Sequence, residues 1–253
     1  LQFLQVAASW LSELGSLQSL EALRLVFDSL TDDATTAAAA VRFPLLPSLS
    51  HLVVEVWAGL PELLLQLDDL PALTELELCG ADSRVAVGAS QPAPQLQRLD
   101  CPLEEVSADL AALQGLTYAF FSATGRLEDA ASIACATSLA YLELWGFGSW
   151  SQSALEVLQN LPPSVSCLAI GRTWPQAVVD LVGNMTSIVA LQLTYDERPA
   201  HAAPHAAPLP AEGAPLWAHL RALRCDRLCH QDGERDLPEV GTKRTSAACL
   251  TCC

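Results

Sequence analysis

Basic side chains are scarce in this chain of 253 residues: 13 Lys and Arg stand against 29 Asp and Glu, for a formal net charge of -16. A nucleic-acid surface needs clustered Lys and Arg to neutralise phosphates. The chain has no such cluster, which argues against nucleic acid and against an anionic membrane as partners. Long apolar runs are missing too. Hydrophobic residues make up 51% of the chain, but none of their runs reaches the roughly 18 residues that span a bilayer. Methionine occurs once, at Met185, and the chain begins at Leu1. A fragment or processed chain is therefore expected, and the lack of a leader says little about compartment. Neither G-x-S-x-G nor H-E-x-x-H occurs, so two common hydrolytic arrangements are excluded. With no nucleophile–base constellation in view, the chain reads as non-enzymatic and calls for no cofactor.

What the chain does have is a recurring L-x-x-L-x-L pattern. It starts at Leu20, Leu49, Leu73, Leu96, Leu116, Leu139, Val165, Ile188 and Leu220, with spacings of 29, 24, 23, 20, 23, 26, 23 and 32 residues. A period in this range marks a stacked repeat architecture. The segment from Leu60 to Gly80 shows how one unit reads. Leu60, Leu63, Leu64, Leu67 and Leu70 fall on one helical face, which Pro71 closes. Leu73, Leu76 and Leu78 then alternate with Glu75 and Glu77 as a strand. Helical returns are likewise expected over 103–114, 151–161 and 174–182, and over Leu1 to Leu14. Since no unit can bury its strand face and its return alone, neighbours must stack, with their strands parallel.

The period weakens in three places. Residues 29–44 carry Thr31-Asp32-Asp33 and the Ala37–Ala40 run, residues 80–95 show no helical face, and residues 196–215 are rich in Ala and Pro. The organisation expected is a repeat array over 1–195 and a semi-rigid linker or insertion over 196–216. A last repeat or cap with a disordered tail is expected over 217–253. Nine cysteines are present. Cys79, Cys101, Cys135, Cys167 and Cys225 fall singly inside repeats, with Cys101 and Cys225 at leucine positions as small buried hydrophobes. Such dispersal suits a reducing compartment better than a disulfide framework.

In number and spacing the units resemble the leucine-rich repeat family over roughly residues 11–195. The resemblance implies an α/β fold: a leucine-rich repeat solenoid of eight to nine repeats, curved, with a parallel inner sheet and helical or irregular returns. The family's asparagine three residues after the last strand leucine is missing: Asp28, Trp57, Ala81, Glu104, Thr124, Phe147 and Thr173 stand there. The G-x-I-P motif of plant receptor ectodomains is also absent. Helical returns and the run from Leu70 to Asp82 look more like intracellular members, such as the repeats of F-box adaptors, ribonuclease inhibitors and plant-type immune receptors. That resemblance implies an intracellular, cytoplasmic, monomeric protein-binding scaffold.

Side chains between the strand leucines point away from the core. In the fifth and sixth repeats these are Tyr118, Phe120, Tyr141, Glu143 and Trp145, and exposed contiguous aromatic area tends to mark an interface. Glu75, Glu77, Arg98 and Asp100 form a charged rim, which His51, Glu55 and Trp57 extend. A one-residue slip in register would instead bury the aromatics. We expect a protein partner on this face, one of basic charge if the acidic balance steers it. Two rivals follow from the same resemblance: an acidic inhibitor wrapping a basic enzyme, and a GTPase regulator using a loop-rim arginine, Arg84 or Arg126. A zinc site at Cys225, Cys229, His230, Cys249, Cys252 and Cys253 is disfavoured, because Cys225 holds a core strand position and the pairs lack the usual spacing. His201 and His205 lie in the Ala/Pro tract, where a metal-binding helix is implausible. The sequon at Asn184 ends an expected helix, and nothing in the chain indicates secretion.

Overall fold

The computed structural model describes residues 2–3, 11–27, 41–56, 63–80, 84–90, 92–93, 95–101, 105–108, 110–123, 126–128, 130–146, 150–172, 174–196 and 209–228. Its main layer is a ten-stranded sheet, parallel throughout. The strands are β1 (Gln2–Phe3), β2 (Ala22–Phe27), β4 (His51–Val56), β6 (Glu75–Gly80), β8 (Arg98–Cys101), β10 (Tyr118–Ser122), β12 (Tyr141–Gly146), β13 (Cys167–Arg172), β14 (Ala190–Asp196) and β15 (Ala222–Leu228), side by side in that order. A second parallel sheet holds β3 (Val41–Arg42), β5 (Leu63–Gln66), β7 (Arg84–Gly88), β9 (Glu105–Ala108) and β11 (Arg126–Glu128). Between β2 and β12 the chain alternates between the two sheets, adding one strand to each per turn. The result is an α/β fold with parallel sheets and few helices.

The first eight leucine motifs bury the same three positions, while the ninth, on β15, leaves Leu223 and Cys225 exposed. Leu73 closes a tight turn by donating its N–H to the Leu70 carbonyl, 3.0 Å away. Leu76 and Leu78 then face inward from β6, and all three are at most 1% exposed. Each such leucine contributes about 1.5–3 kcal/mol of burial. One hydrogen-bond pattern sets the register between turns. The N–H groups of Thr74 and Glu75 both donate to the Ser50 carbonyl, those of Gln97 and Arg98 to Thr74, and those of Thr117 and Tyr118 to Gln97. The series continues through Ala140, Ser166, Val189 and Arg221. At Ser50, Thr74 and Thr117 the side-chain hydroxyl adds a third bond to the same carbonyl, on Glu21, Ser50 and Gln97 respectively. Gly80 ends β6 at φ 137°, a conformation that side-chain-bearing residues rarely adopt.

The returns differ from the helical expectation in the first half of the chain. Residues 60–70 do not form a helix where described: Leu63–Gln66 is strand β5, followed by a 3-10 turn over Leu67–Asp69. The 103–114 run is likewise strand β9 and a 3-10 turn over Leu110–Ala112. Residues 84–88, expected to be irregular, are strand β7, with Val85 and Val87 buried and Ala86 between them half-buried. The physical reason is partnership. Leu63, Leu65 and Leu67 satisfy a period of two as well as Leu60, Leu63 and Leu67 satisfy 3.6, and pairing with β3 and β7 settles the ambiguity. At the N-terminus only β1 and a short helix, α1 (Leu11–Leu14), are described within the expected helix over Leu1 to Leu14.

After β12 the returns do become helical, as read from the sequence: α2 (Gln152–Gln159) and α3 (Gln176–Gly183). The Ser151 hydroxyl caps α2 by accepting the Ala154 N–H at 3.1 Å. Ala154, Val157 and Leu158 form its buried stripe. A last short helix, α4 (Leu216–His219), leads into β15, which pairs with β14 over seven residues. Cys101 is buried in the core. Cys225 is not, contrary to expectation: it is exposed on β15, because β15 is the last strand of the sheet and has a neighbour on one side only. Most of the Ala/Pro tract, the tail after Leu228, Trp57, His201, His205 and the other cysteines and histidine of the disfavoured zinc set lie outside the described residues. Among the described residues no helix is long and apolar enough to cross a membrane.

Candidate functional site

The strand pairing lines up the outward side chains of the large sheet in rows, one residue per strand. The first row runs His51, Glu75, Arg98, Tyr118, Tyr141, Cys167 and Ala190. The second, two residues on, runs Val53, Glu77, Asp100, Phe120, Glu143, Ala169 and Gln192. A third includes Ser122, Trp145, Gly171 and Thr194. Between these rows lie the core rows, such as Leu76, Leu99, Ala119 and Leu142, all at most 1% exposed. All nine residues singled out from the sequence therefore stand on one face, in adjacent registers. A one-residue slip is excluded, because Ala119 and Phe121 are buried while Tyr118 and Phe120 are only half-buried.

The aromatic residues form two contacting pairs in adjacent rows. Tyr118 and Tyr141 stack with ring centroids 5.1 Å apart and planes 17° apart. Phe120 meets Trp145 edge to face, 6.2 Å between centroids. The Arg98 guanidinium carbon lies 4.0 Å from the Tyr118 ring centroid, so Arg98, Tyr118 and Tyr141 form a three-layer stack along the first row. Trp145 leans over β13. A Cβ built on Gly171 would lie 2.6 Å from its Cδ2, so only glycine leaves room for the indole there. The composition of β13 supplies the seat: its outward positions are Cys167, Ala169 and Gly171, none larger than a thiol.

Charges on the face are mostly paired. Arg24 bonds Glu55, the His51 Nδ1 lies 3.0 Å from Glu75, and the Arg98 Nη2 lies 3.3 Å from Asp100. The Tyr118 hydroxyl donates to Glu143 at 3.0 Å, and the Cys79 thiol donates to Glu77 at 3.3 Å. Burial, then the Glu143 charge, pushes the Tyr118 hydroxyl well above the ordinary phenol range. Burial and the Glu77 carboxylate push the Cys79 thiol up to about 12, leaving it protonated and inert. Asp100 is held above the usual carboxylate range, first by burial and then by Glu77, with Arg98 opposing.

Cys79 and Gly171 are positions of this face that sequence reading did not single out for it. Cys79 is half-buried on this same face beside Glu55. Gly171 carries no signal in one chain beyond being a glycine within a strand pattern, a hint of close approach by another group. Arg84 and Arg126, considered as loop-rim residues, instead begin strands β7 and β11 of the second sheet, each in register with Glu105. Among the described residues no group of His, Cys, Asp or Glu is placed to hold a metal ion. Cys79, Cys101, Cys135, Cys167 and Cys225 are all free thiols. Compared with protein-family models and with curated proteins, the chain matches none.

Proposed function

We propose that this chain is a leucine-rich repeat solenoid of eight to nine repeats that works as a non-enzymatic scaffold. It binds a protein partner on the concave face of its large sheet, as the recognition part of a larger intracellular adaptor. One observation carries this reading: Tyr118, Phe120, Tyr141 and Trp145 lie on the outward face of adjacent strands, in two contacting ring pairs, and are half-exposed. Aromatic side chains supply much of the binding energy at protein interfaces, at low entropic cost. A purely structural sheet face has no need to hold four of them out of the core.

Replacing Tyr118 and Trp145 together by alanine is expected to abolish partner capture while the thermal transition stays cooperative. Each truncation removes an anchor of the kind worth ~2 kcal/mol or more, so the pair lowers affinity by at least roughly 100-fold. A cooperatively folded double variant that still captures its partner sinks the assignment of the surface. The acidic excess on the same face also favours a second reading, an inhibitor of a basic enzyme. That reading demands association that weakens steeply with salt.

A further inference from the structure

Among the described residues of β4 to β12 the face carries five carboxylates, Glu55, Glu75, Glu77, Asp100 and Glu143, and they are not served alike. Glu55 holds Arg24 and Asp100 holds Arg98, and Glu75 has the His51 imidazole, a cation only when protonated, at 3.0 Å. Among the described residues, Glu77 and Glu143 have only neutral donors on them, the Cys79 thiol and the Tyr118 hydroxyl. These two stand in the same row, on β6 and β12, with Asp100 and Phe120 between them. Three strand steps of ~4.8 Å separate them, or about 14 Å.

We infer that the partner presents an extended basic segment, with one cationic side chain on Glu77 and a second on Glu143 over the Phe120 ring. This rests on the reading of the sheet face as a partner surface. Arg98 shows how a cation sits here: its guanidinium covers the Tyr118 ring while bonding the Asp100 carboxylate. One row over, Phe120 and Glu143 offer the same pairing of ring and carboxylate, in adjacent register. Arg98, the basic side chain described beside the aromatics, is already on Asp100. The neutral donors on Glu77 and Glu143 leave their charge uncompensated, and a partner cation supplies what is missing.

The spacing adds a constraint. An extended strand advances ~3.3 Å per residue, so residues i and i+4 lie about 13 Å apart and point to the same side. A segment crossing the strands with Arg or Lys four residues apart therefore matches Glu77 and Glu143. A second copy of this chain is a poor occupant, since it brings the same acidic face and another net charge of -16.

The test uses the whole chain as bait for a displayed library of random twelve-residue peptides. Selected sequences are expected to be enriched in Arg and Lys, most often as pairs four residues apart. Synthetic peptides from that set should lose roughly tenfold or more in affinity when both basic residues become citrulline or norleucine, and when Glu77→Gln and Glu143→Gln are combined in the chain. Selected peptides without basic residues overturn the inference, as does binding indifferent to both changes. If such peptides still depend on Tyr118 and Trp145, the surface reading stands without it. Peptides indifferent to the Tyr118→Ala and Trp145→Ala pair as well, or no selection above a Gly/Ser-blocked support, overturn both. The peptide arm needs no protein variant, so a folding defect cannot mask the result.

Discussion

At the scale of single residues, Gly171 and Cys79 are where position changes chemistry. Gly171→Ala puts a methyl group into the Trp145 indole, so the ring must leave its seat on β13. The expected outcome is a shifted tryptophan fluorescence maximum and weakened partner or peptide binding, with the core intact because Gly171 faces outward. Unchanged fluorescence and binding argue that the indole is not seated there. Cys79 gives a pH prediction. Its thiol is pushed up to about 12 from an ordinary value of 9.0. In the native chain at pH 8 it should react with a thiol reagent far more slowly than the exposed Cys135. The sign for stability follows. The folded thiol keeps its proton where the unfolded thiol has lost it, so this group's contribution falls as pH rises from 9 towards about 12. The Cys79→Ala variant should lose that part of the alkaline decline, as read from denaturant midpoints.

At the scale of elements, the returns divide the chain into two halves. The helices α2 and α3 were legible because each carries a start and a stop signal: Ser151 and Pro162-Pro163 for α2, Thr173 with Pro175 and then Gly183 for α3. Ser151→Ala should cost about 1 kcal/mol and lower the melting temperature by a few degrees. An unchanged melting temperature means the cap adds nothing. The strands β5, β7 and β9 were not legible, because short leucine runs satisfy both periods and their choice depends on strands one turn away. Leu65 on β5 is fully buried between the sheets, so Leu65→Ala should cost about 2–5 kcal/mol in urea denaturation. A loss below 1 kcal/mol is incompatible with that placement.

At the scale of the whole molecule, the net charge of -16 and the acidic outward face act together. Partner association is expected to slow markedly between about 50 and 300 mM salt, since steering is screened within a Debye length of roughly 6–14 Å. Association rates flat across that range tell against a basic partner. The chain by itself determined the large sheet and its register. Each L-x-x-L-x-L puts its leucines on one side of a strand, and their burial forces the residues between them outward. That is why Tyr118, Phe120, Tyr141, Glu143 and Trp145 were found from spacing alone. Only the tertiary structure decided what those residues do to one another. The stack of Arg98 on Tyr118 and Tyr141, the seat of Trp145 on Gly171, and the Tyr118 hydroxyl on Glu143 all join different strands. So does the second sheet, whose short strands exist because neighbouring turns supply their hydrogen-bond partners. Local pattern settles which way a side chain faces. Contact across turns, set by backbone pairing between residues some twenty positions apart, settles what it meets.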